Sequence, residues 1–383
     1  MMLRRFLVFI LIIFFAISFK LPDNLELLGT KAKAIPLAVS FNSLDADTEV
    51  RSAEEFQTVI AEGIREVKDS IRVRIVNYNE KDYDVNIALN KVLNENVELG
   101  FVSGCNIQFT RTMDKETAVV EMKMRYVYPG EEVVAMREET DSIANEIIKN
   151  IISSEMGEYE RVIAVHDYLI KSSRYDILNA GRNAVPPEEH EAYGVLVKGI
   201  GVCDSYSKAM KLLLEKAGVH CILVKGSKAG NSIQNIDDVD HVWNIVRIDG
   251  EYYHTDATWN DVNEGHDGID MVYHHFNLND TEMQKTHIWD RNKYPKCIST
   301  KHNYYIYNNL TVNSRDETLL ILEKAISAKD EKLLVKIEDY KRSTYNIGDL
   351  IKKAAANSSI RQSLSAKWIV NDSLGIVDLE FSY

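Results

Sequence analysis

Cysteine is scarce in this chain, with four residues in 383. They are widely spaced, at Cys105, Cys203, Cys221 and Cys297. Small exported proteins that are stapled by disulfides carry many closely spaced cysteines, so we expect no disulfide scaffold. Zinc sites use pairs such as Cys-x-x-Cys or His-x-x-x-His, and neither spacing occurs here. We therefore predict no metal site.

Positive charge is also limited, because 45 Lys and Arg stand against 58 Asp and Glu, a formal net charge of −13. Nucleic-acid binding needs clustered Lys and Arg that neutralise phosphates, so we predict no nucleic-acid partner. The glycine-rich loop of nucleotide-binding proteins is missing as well, and we predict no organic cofactor. The hydrophobic content of 45% is ordinary for a packed protein of two or three domains.

Long apolar runs are limited to one segment near the N-terminus. Arg4 and Arg5 precede the almost wholly apolar residues Phe6 to Phe19, which is the pattern of an export signal. The small-residue cleavage pattern Ala32-Lys33-Ala34 lies far beyond this run, which itself is short for a membrane-spanning helix. A cleaved signal peptide and an uncleaved membrane anchor therefore both stay open for residues 1–34. Either one predicts a location outside the cell or at its surface.

The sequence contains an internal repeat. Residues 71–78 match residues 333–340 at an offset of 262, and the alternating apolar residues of 120–126 recur in 377–383 at an offset of 257. Each copy has the pattern of a helix, a strand, a helix and a two-stranded hairpin. The predicted units are module A at 45–130, a central core at 140–299 and module B at 300–383. The modules could brace the core or bind a polymer or partner, and the pattern favours neither.

Local patterns predict where the elements begin and end. For module A the predicted segments are Glu54 to Val67, Ile71 to Tyr78, Val85 to Asn94, Phe101 to Thr112 and Ala118 to Tyr128. The core is predicted to open with two helices, Thr140 to Ile152 and Glu158 to Lys171. We further predict an exposed loop at Pro186 to Glu189, and a polar stretch at Gly226 to Asp240 that could border a cleft.

Cys203 is the first candidate for chemistry. Apolar residues recur every three or four positions from Tyr206 to Ala217, and Gly218 follows, so Cys203 lies at or just before a helix N-terminus. Unpaired N–H groups and the helix dipole favour a thiolate there. The neighbouring Asp204 acts in the opposite direction, so the thiolate needs a histidine as well.

His241 and Asp256 are the other two candidates. Asp249-Gly250 suits a two-residue turn of type I′ between two strand-like runs. That turn places Trp243 opposite Asp256, with His241 on the same face and diagonal to Asp256. Cysteine, histidine and an acid in this arrangement are what a thiol nucleophile, its base and the base's orienting group require.

Several spaced motifs around these residues resemble the transglutaminase-like superfamily of papain-related cysteine enzymes. They are His166-Asp167-Tyr168-Leu169, Tyr175-Asp176, Gly201-Val202-Cys203, His241-Val242-Trp243-Asn244 and Asp256-Ala257-Thr258-Trp259. The segment Tyr273 to Leu278 and His287-Ile288-Trp289 resemble the family's secreted bacterial members. Ser205 and Asn260 depart from the family pattern, which often has Gly and Asp there, but neither replaces Cys203, His241 or Asp256.

The resemblance implies an α+β fold with a papain-like core, in which the nucleophile helix packs on an antiparallel sheet between the two modules. It also implies acyl transfer through a thioester on Cys203, with a protein or a cell-wall peptide as the substrate. The resemblance to secreted bacterial members and the lack of a calcium-ligand pattern favour attack by water, which would make the chain a peptidase or amidase. Attack by an amine would make it a transglutaminase instead. A binding or assembly protein with an inactive triad is the alternative from another class. The sequence predicts no oligomeric state.

We assign no metal-binding or catalytic role to the other candidate residues. Zinc on Cys203, His241 and Asp256 lacks supporting spacing, and Asp237, Asp238 and Asp240 lack the regular oxygen ligands of a calcium loop. His166 is predicted to be a hydrogen-bonded core residue, and no chemistry is assigned to His274, His275 and His287. Cys221 is predicted to be a small buried hydrophobic residue. Trp243 and Trp259 could either line a cleft or pack in the core.

Overall fold

The structure is a computed structural model that describes residues 48–112, 116–229, 239–262, 271–358 and 363–383. The predicted export segment at 1–34 lies outside these residues. Among the helices that are described, none is long and apolar enough to cross a membrane. All four cysteines are free thiols.

Module A is a four-stranded sheet with two helices packed on it. Its elements are β1 (Thr48–Val50), α1 (Ala53–Arg65), β2 (Ser70–Val76), α2 (Val85–Glu95), β3 (Val102–Arg111) and β4 (Thr117–Tyr126). The strand order is β1-β2-β4-β3. The sequence predicts no strand before α1, but β1 is present and pairs in parallel with β2 at one edge of the sheet. A strand of three residues is too short to show a period of two.

One long helix, α3 (Gly130–Ile151), connects module A to the core. The prediction starts this helix at Thr140 and is wrong, because Pro129 ends the preceding segment and the helix begins immediately after it. Arg137 in its first half donates hydrogen bonds to the carbonyl groups of Ile64 and Leu99 in module A. The predicted boundary between the two units therefore falls inside a continuous helix.

The core contains the antiparallel sheet and the helix that the fold class requires. Its elements are α4 (Glu158–Ser172), β5 (Arg174–Tyr175), α5 (Ile177–Ala180), β6 (Ile200–Gly201), α6 (Cys203–Lys216), β7 (Cys221–Lys228), β8 (His241–Ile248), β9 (Glu251–Thr255), α7 (Ala257–Asn260), α8 (Asp280–Met283), β10 (His287–Trp289) and α9 (Tyr304–Tyr307). The strand order is β10-β7-β8-β9, and α6 shares one hydrophobic cluster with β7 and β8. The predicted packing of the Cys203 helix on an antiparallel sheet is confirmed.

Two loop predictions in the core need correction. The predicted polar stretch begins at Gly226, but β7 continues to Lys228 because Gly226 pairs with His241 of β8. Residues 230–238 of that stretch, with Asp237 and Asp238, lie outside the described residues. The segment Pro187–His190 forms a short 3-10 helix, and Glu189 within it is buried rather than exposed.

Module B has the same strand order as module A. Its elements are β11 (Thr311–Val312), α10 (Arg315–Ala328), β12 (Lys332–Ile337), α11 (Ile347–Asn357), β13 (Ser365–Asn371) and β14 (Ile376–Ser382), in the order β11-β12-β14-β13. The cross-strand pair Ile71 and Met122 corresponds, at the two sequence offsets, to the pair Leu333 and Leu379. Origin by duplication stays a prediction.

Module B packs directly on the core. Leu374 and Ile376 belong to the same hydrophobic cluster as Trp243 of β8. The Asp378 carboxylate accepts hydrogen bonds from His274 Nε2 at 3.0 Å and from the Tyr305 hydroxyl at 3.2 Å. Module B thus supports the strand that begins with His241.

Candidate active site

Cys203 is the first residue of α6, as the sequence predicts. Val202 before it is extended and has no side-chain oxygen that could cap the N–H groups of the first turn. Two backbone hydrogen bonds of 3.1 Å hold the approach to the helix, from Asp176 N–H to the Gly201 carbonyl and from Val202 N–H to the Glu189 carbonyl. Cys203 therefore projects from a braced turn, with 7% of its surface exposed.

His241 and Asp256 meet as the hairpin register predicts. Asp249 and Gly250 have φ values of 51° and 85°, which a type I′ turn requires, and β8 pairs with β9 in the register that this turn sets. His241 Nε2 lies 2.6 Å from Asp256 Oδ2. The rings of His241 and Trp243 are stacked with their centroids 5.9 Å apart. The predicted proximity of these three residues is confirmed.

Asp256 is held by its own backbone as well as by histidine. It is the N-cap of α7, and its Oδ1 accepts a hydrogen bond of 3.1 Å from the Trp259 N–H. Burial alone would raise the pKa of this carboxyl, but His241 and His287 hold it far below its usual range. Asp256 is therefore a fixed carboxylate at neutral pH.

His241 is in contact with both partners. Burial alone would lower the pKa of His241, but the Asp256 carboxylate and a hydrogen bond with the Cys203 thiol raise it to about 10. The raised pKa makes the ring a stronger base that can take up the proton of the Cys203 thiol. The ring can then hold this proton for a leaving amine.

Burial raises the pKa of the Cys203 thiol, so the position at the helix N-terminus does not by itself produce a thiolate, which agrees with the predicted need for a histidine. The charge of Asp204 raises this pKa further, while the hydrogen bond with His241 lowers it, and both of these directions are as predicted. Ionisation of Cys203 accordingly depends on His241.

The sequence interpretation missed His287. Its Nε2 lies 3.1 Å from Asp256 Oδ2, the same oxygen that contacts His241. A signal for it exists in the chain, because His287-Ile288-Trp289 repeats the pattern of His241-Val242-Trp243. Both segments are strands on either side of β7, so their histidines can approach one another on one face of the sheet.

Within the described residues, two clusters have the residue types of metal ligands. Polar atoms of His241, Asp256 and His287 lie within 4.8 Å of one another, and so do those of His254, Asp280 and Cys297. In the first cluster the carboxylate oxygen contacts both Nε2 atoms at hydrogen-bonding distance. In the second, Trp243 Nε1–H donates to His254 Nδ1, so the proton of His254 is on Nε2, facing Asp280. Hydrogen bonds account for the contacts between the histidines and the carboxylates, and we assign no metal ligand.

His166 and Trp243 lie in the core, whereas Trp259 lies beside the site. His166 is fully buried, with Nδ1 at 3.0 Å from Asp167 Oδ1 and Nε2 at 3.0 Å from the Asn260 amide, which confirms its predicted role in the core. Trp243 is fully buried and belongs to the core, whereas Trp259 is half-buried, with its ring centroid 5.6 Å from that of His241. Trp259 is therefore the tryptophan that borders the site.

Part of this chain is similar to known proteins. Residues 145–257 match the transglutaminase-like superfamily. The kyphoscoliosis peptidases of Mus musculus and Homo sapiens are each 27% identical to this chain over 122 residues, which is 30% of this chain and 18% of the relative. The chain thus spans less than a fifth of the length of these curated relatives.

Two solved structures are similar in part. One is a TGase, 14% identical with a TM-score of 0.26, where the match covers 55% of this chain and 59% of that chain. The other is a proposed cysteine protease from Cytophaga hutchinsonii, 13% identical with a TM-score of 0.25, covering 40% of this chain and 62% of that chain.

Proposed function

We propose that this transglutaminase-like chain is an exported cysteine peptidase or amidase that cleaves amide bonds of protein or cell-wall peptides. Cys203 is the nucleophile, His241 the general acid and base, and Asp256 the group that orients His241. The observation that carries the proposal is the buried series of contacts from Asp256 through His241 to Cys203. The family supports cysteine acyl transfer in general.

Acylation forms one bond and breaks another. Cys203 gives its proton to His241, and the sulfur attacks the amide carbonyl carbon, whose electron pair moves to oxygen. The backbone N–H of Cys203, in the uncapped first turn of α6, is the donor that we assign to that oxyanion. When the intermediate collapses, the C–N bond breaks and His241 gives its proton to the departing amine, which leaves a thioester.

Deacylation decides between the two reactions. In hydrolysis, water gives a proton to His241 and attacks the thioester, the C–S bond breaks, and sulfur recovers the proton. An amine in place of water would give a crosslink, and Cys203, His241 and Asp256 serve both outcomes equally. The kyphoscoliosis peptidases named above favour hydrolysis.

The site of action is a further part of the proposal. The export pattern of residues 1–34 and the formal charge of −13 are consistent with a soluble catalytic region outside the cell, free or held at the surface. We infer that modules A and B then select the polymer or partner on which Cys203 acts. The packing of module B beneath β8 supports a link between that selection and the site.

A peptide library with a labelled primary amine tests the reaction. The purified chain is incubated with both, in parallel with Cys203→Ala. New peptide termini that depend on Cys203 support hydrolysis, whereas amine incorporation that depends on Cys203 would replace the peptidase with a transglutaminase. The absence of both products would overturn the enzymatic proposal for these substrates.

A binding or assembly protein with an inactive triad is the second candidate. The observation that favours it is the burial of Cys203, which leaves little of the thiol open to a substrate. Iodoacetamide distinguishes the two candidates, because a catalytic thiolate near neutral pH is alkylated much faster than a buried structural thiol.

A further inference from the structure

Two imidazoles share one carboxylate oxygen at this site. Asp256 Oδ2 lies 2.6 Å from His241 Nε2 and 3.1 Å from His287 Nε2. The second oxygen, Oδ1, is occupied by the Trp259 N–H at 3.1 Å. Each oxygen of the carboxylate is thus engaged, and two of its three donors are histidines.

The carboxylate fixes which nitrogen of each ring carries the proton. A carboxylate only accepts hydrogen bonds, so the Nε2 atoms of both His241 and His287 are donors. His287 Nδ1 is then an acceptor, and the Thr286 hydroxyl lies 2.8 Å from it. Burial lowers the pKa of His287 to about 4, which keeps this ring neutral near pH 7. His287 therefore adds a donor at Asp256 without adding a charge.

The surroundings of His287 hold the ring in place. Its centroid lies 4.2 Å from that of Trp259 on α7 and 4.9 Å from that of Trp243 on β8. The ionisable groups that face it are Asp256, His241 and His254, and also His275, whose ring centroid is 5.3 Å away. With 1% of its surface exposed, His287 has no direct route to a substrate.

We propose that His287 is a positioning residue for the cysteine reaction, which holds the Asp256 carboxylate in place and limits how strongly that carboxylate retains the His241 proton. The catalytic role of His287 rests on the proposed function, whereas its effect on the His241 pKa does not. Two N–H groups that share one oxygen divide its charge, so each is held less strongly than it would be alone. A more weakly held His241 proton is more easily given to a leaving amine.

The test measures the His241 proton directly and needs no substrate. The full chain is labelled with ¹⁵N-histidine in a Cys203→Ala background, and the His241 ring nitrogens are followed by NMR as pH rises. Three variants are compared: the background alone, His287→Leu and His287→Gln. Leucine removes the donor, whereas the glutamine amide can still donate to Asp256 Oδ2.

We expect His287→Leu to raise the His241 pKa by about one pH unit and His287→Gln to leave it close to the background value. A folded His287→Leu chain with an unchanged or lowered His241 pKa would overturn the proposal, as would a glutamine variant that behaves like leucine. If the leucine variant does not fold, Thr286→Val replaces it, because loss of the hydroxyl weakens His287 as a donor. The same upward direction is then required, and no shift would count against the proposal. Inactivity of the wild type on peptides leaves this test intact.

Discussion

Gly226 of β7 lies directly opposite His241 of β8, and the space that its missing side chain leaves is filled by the Trp243 ring. A Cβ added at Gly226 would stand 2.6 Å from a ring carbon of Trp243 and 2.2 Å from the Ile288 carbonyl oxygen. The backbone oxygen cannot move without disturbing the pairing of β7 with β10. The absence of a side chain at this position therefore sets the arrangement of rings around His241.

Gly226→Ala is expected to destabilise the protein by about 1–3 kcal/mol, the usual cost of forcing extra carbon into a packed core. It should also slow alkylation of Cys203, because Trp243 is stacked on His241 and a shift of one ring moves the other. Chemical denaturation and iodoacetamide labelling measure the two effects. Gly348→Ala in α11 is the matched control, since its Cβ meets nothing closer than 3.6 Å. Equal stability of the two variants would contradict this reading of Gly226.

His241→Ala should slow the alkylation of Cys203 near pH 7 by about tenfold or more. Without the imidazole, burial and the charge of Asp204 both raise the thiol pKa, and nothing in the triad opposes them. The rate is measured by iodoacetamide labelling and peptide mapping, which separates Cys203 from the other three thiols. The surface variant His220→Ala serves as the control and should label like the wild type. Indistinguishable rates for His241→Ala and the control would remove the support for a catalytic thiol.

Asp256→Asn separates the charge of this residue from its capping role. The asparagine oxygen can still accept the Trp259 N–H, so the cap is kept. The unfolding free energy at neutral pH should still fall, because a carboxylate whose pKa is lowered in the folded chain is lost. The His241 pKa should fall, because the carboxylate that raises it is gone, and peptide cleavage near pH 7 should drop by about a hundredfold. Asp256→Ala is expected to lose about 1 kcal/mol more in unfolding free energy, through the lost cap. Full activity of the asparagine variant would show that the charge is dispensable.

The raised pKa of Glu189 predicts that the unfolding free energy of the protein falls as pH rises. Burial and the nearby Asp176 carboxylate raise the pKa of Glu189 from 4.5 to about 7, so between these values the folded chain holds a proton that the unfolded chain has lost. The folded state binds more protons there, and unfolding free energy decreases from about pH 4.5 to about pH 7. Glu189→Gln should remove this loss, which denaturation at several pH values would measure.

Glu188→Gln is the matched control for that experiment. Burial alone would raise the pKa of Glu188, but hydrogen bonds from Lys198 and Tyr128 lower it, so its carboxylate stabilises the fold above its unfolded pKa. Replacing it should therefore destabilise the protein at neutral pH, opposite in sign to Glu189→Gln. If Glu188→Gln and Glu189→Gln shift the unfolding free energy in the same direction, the folded chain does not retain a proton on Glu189.

The three candidate site residues were accessible from the sequence because each depends on local rules. A turn of two residues fixes the register of its hairpin, so Asp249-Gly250 was enough to bring His241 and Asp256 to one face. Helical spacing after Cys203 was enough to place it at the first position of α6. The catalytic roles of these residues stay predictions until activity is measured.

The errors came from contacts between distant segments. His287 reaches Asp256 because β10 joins the sheet beside β7, and a three-residue strand gives no pattern that would fix this pairing. The parallel strands β1 and β11 are also short, with three and two residues. Burial of Cys203 and Glu189 depends on tertiary packing, so the raised pKa values of both groups could not follow from the neighbouring sequence.

The continuous helix α3 connects module A to the core without an intervening loop. Its first half is fastened to module A through Arg137, and Ala144 and Ile147 in its second half share a hydrophobic cluster with Leu213 of α6. Module A therefore cannot change its orientation relative to α6 without bending α3 or breaking the contacts at one of its ends.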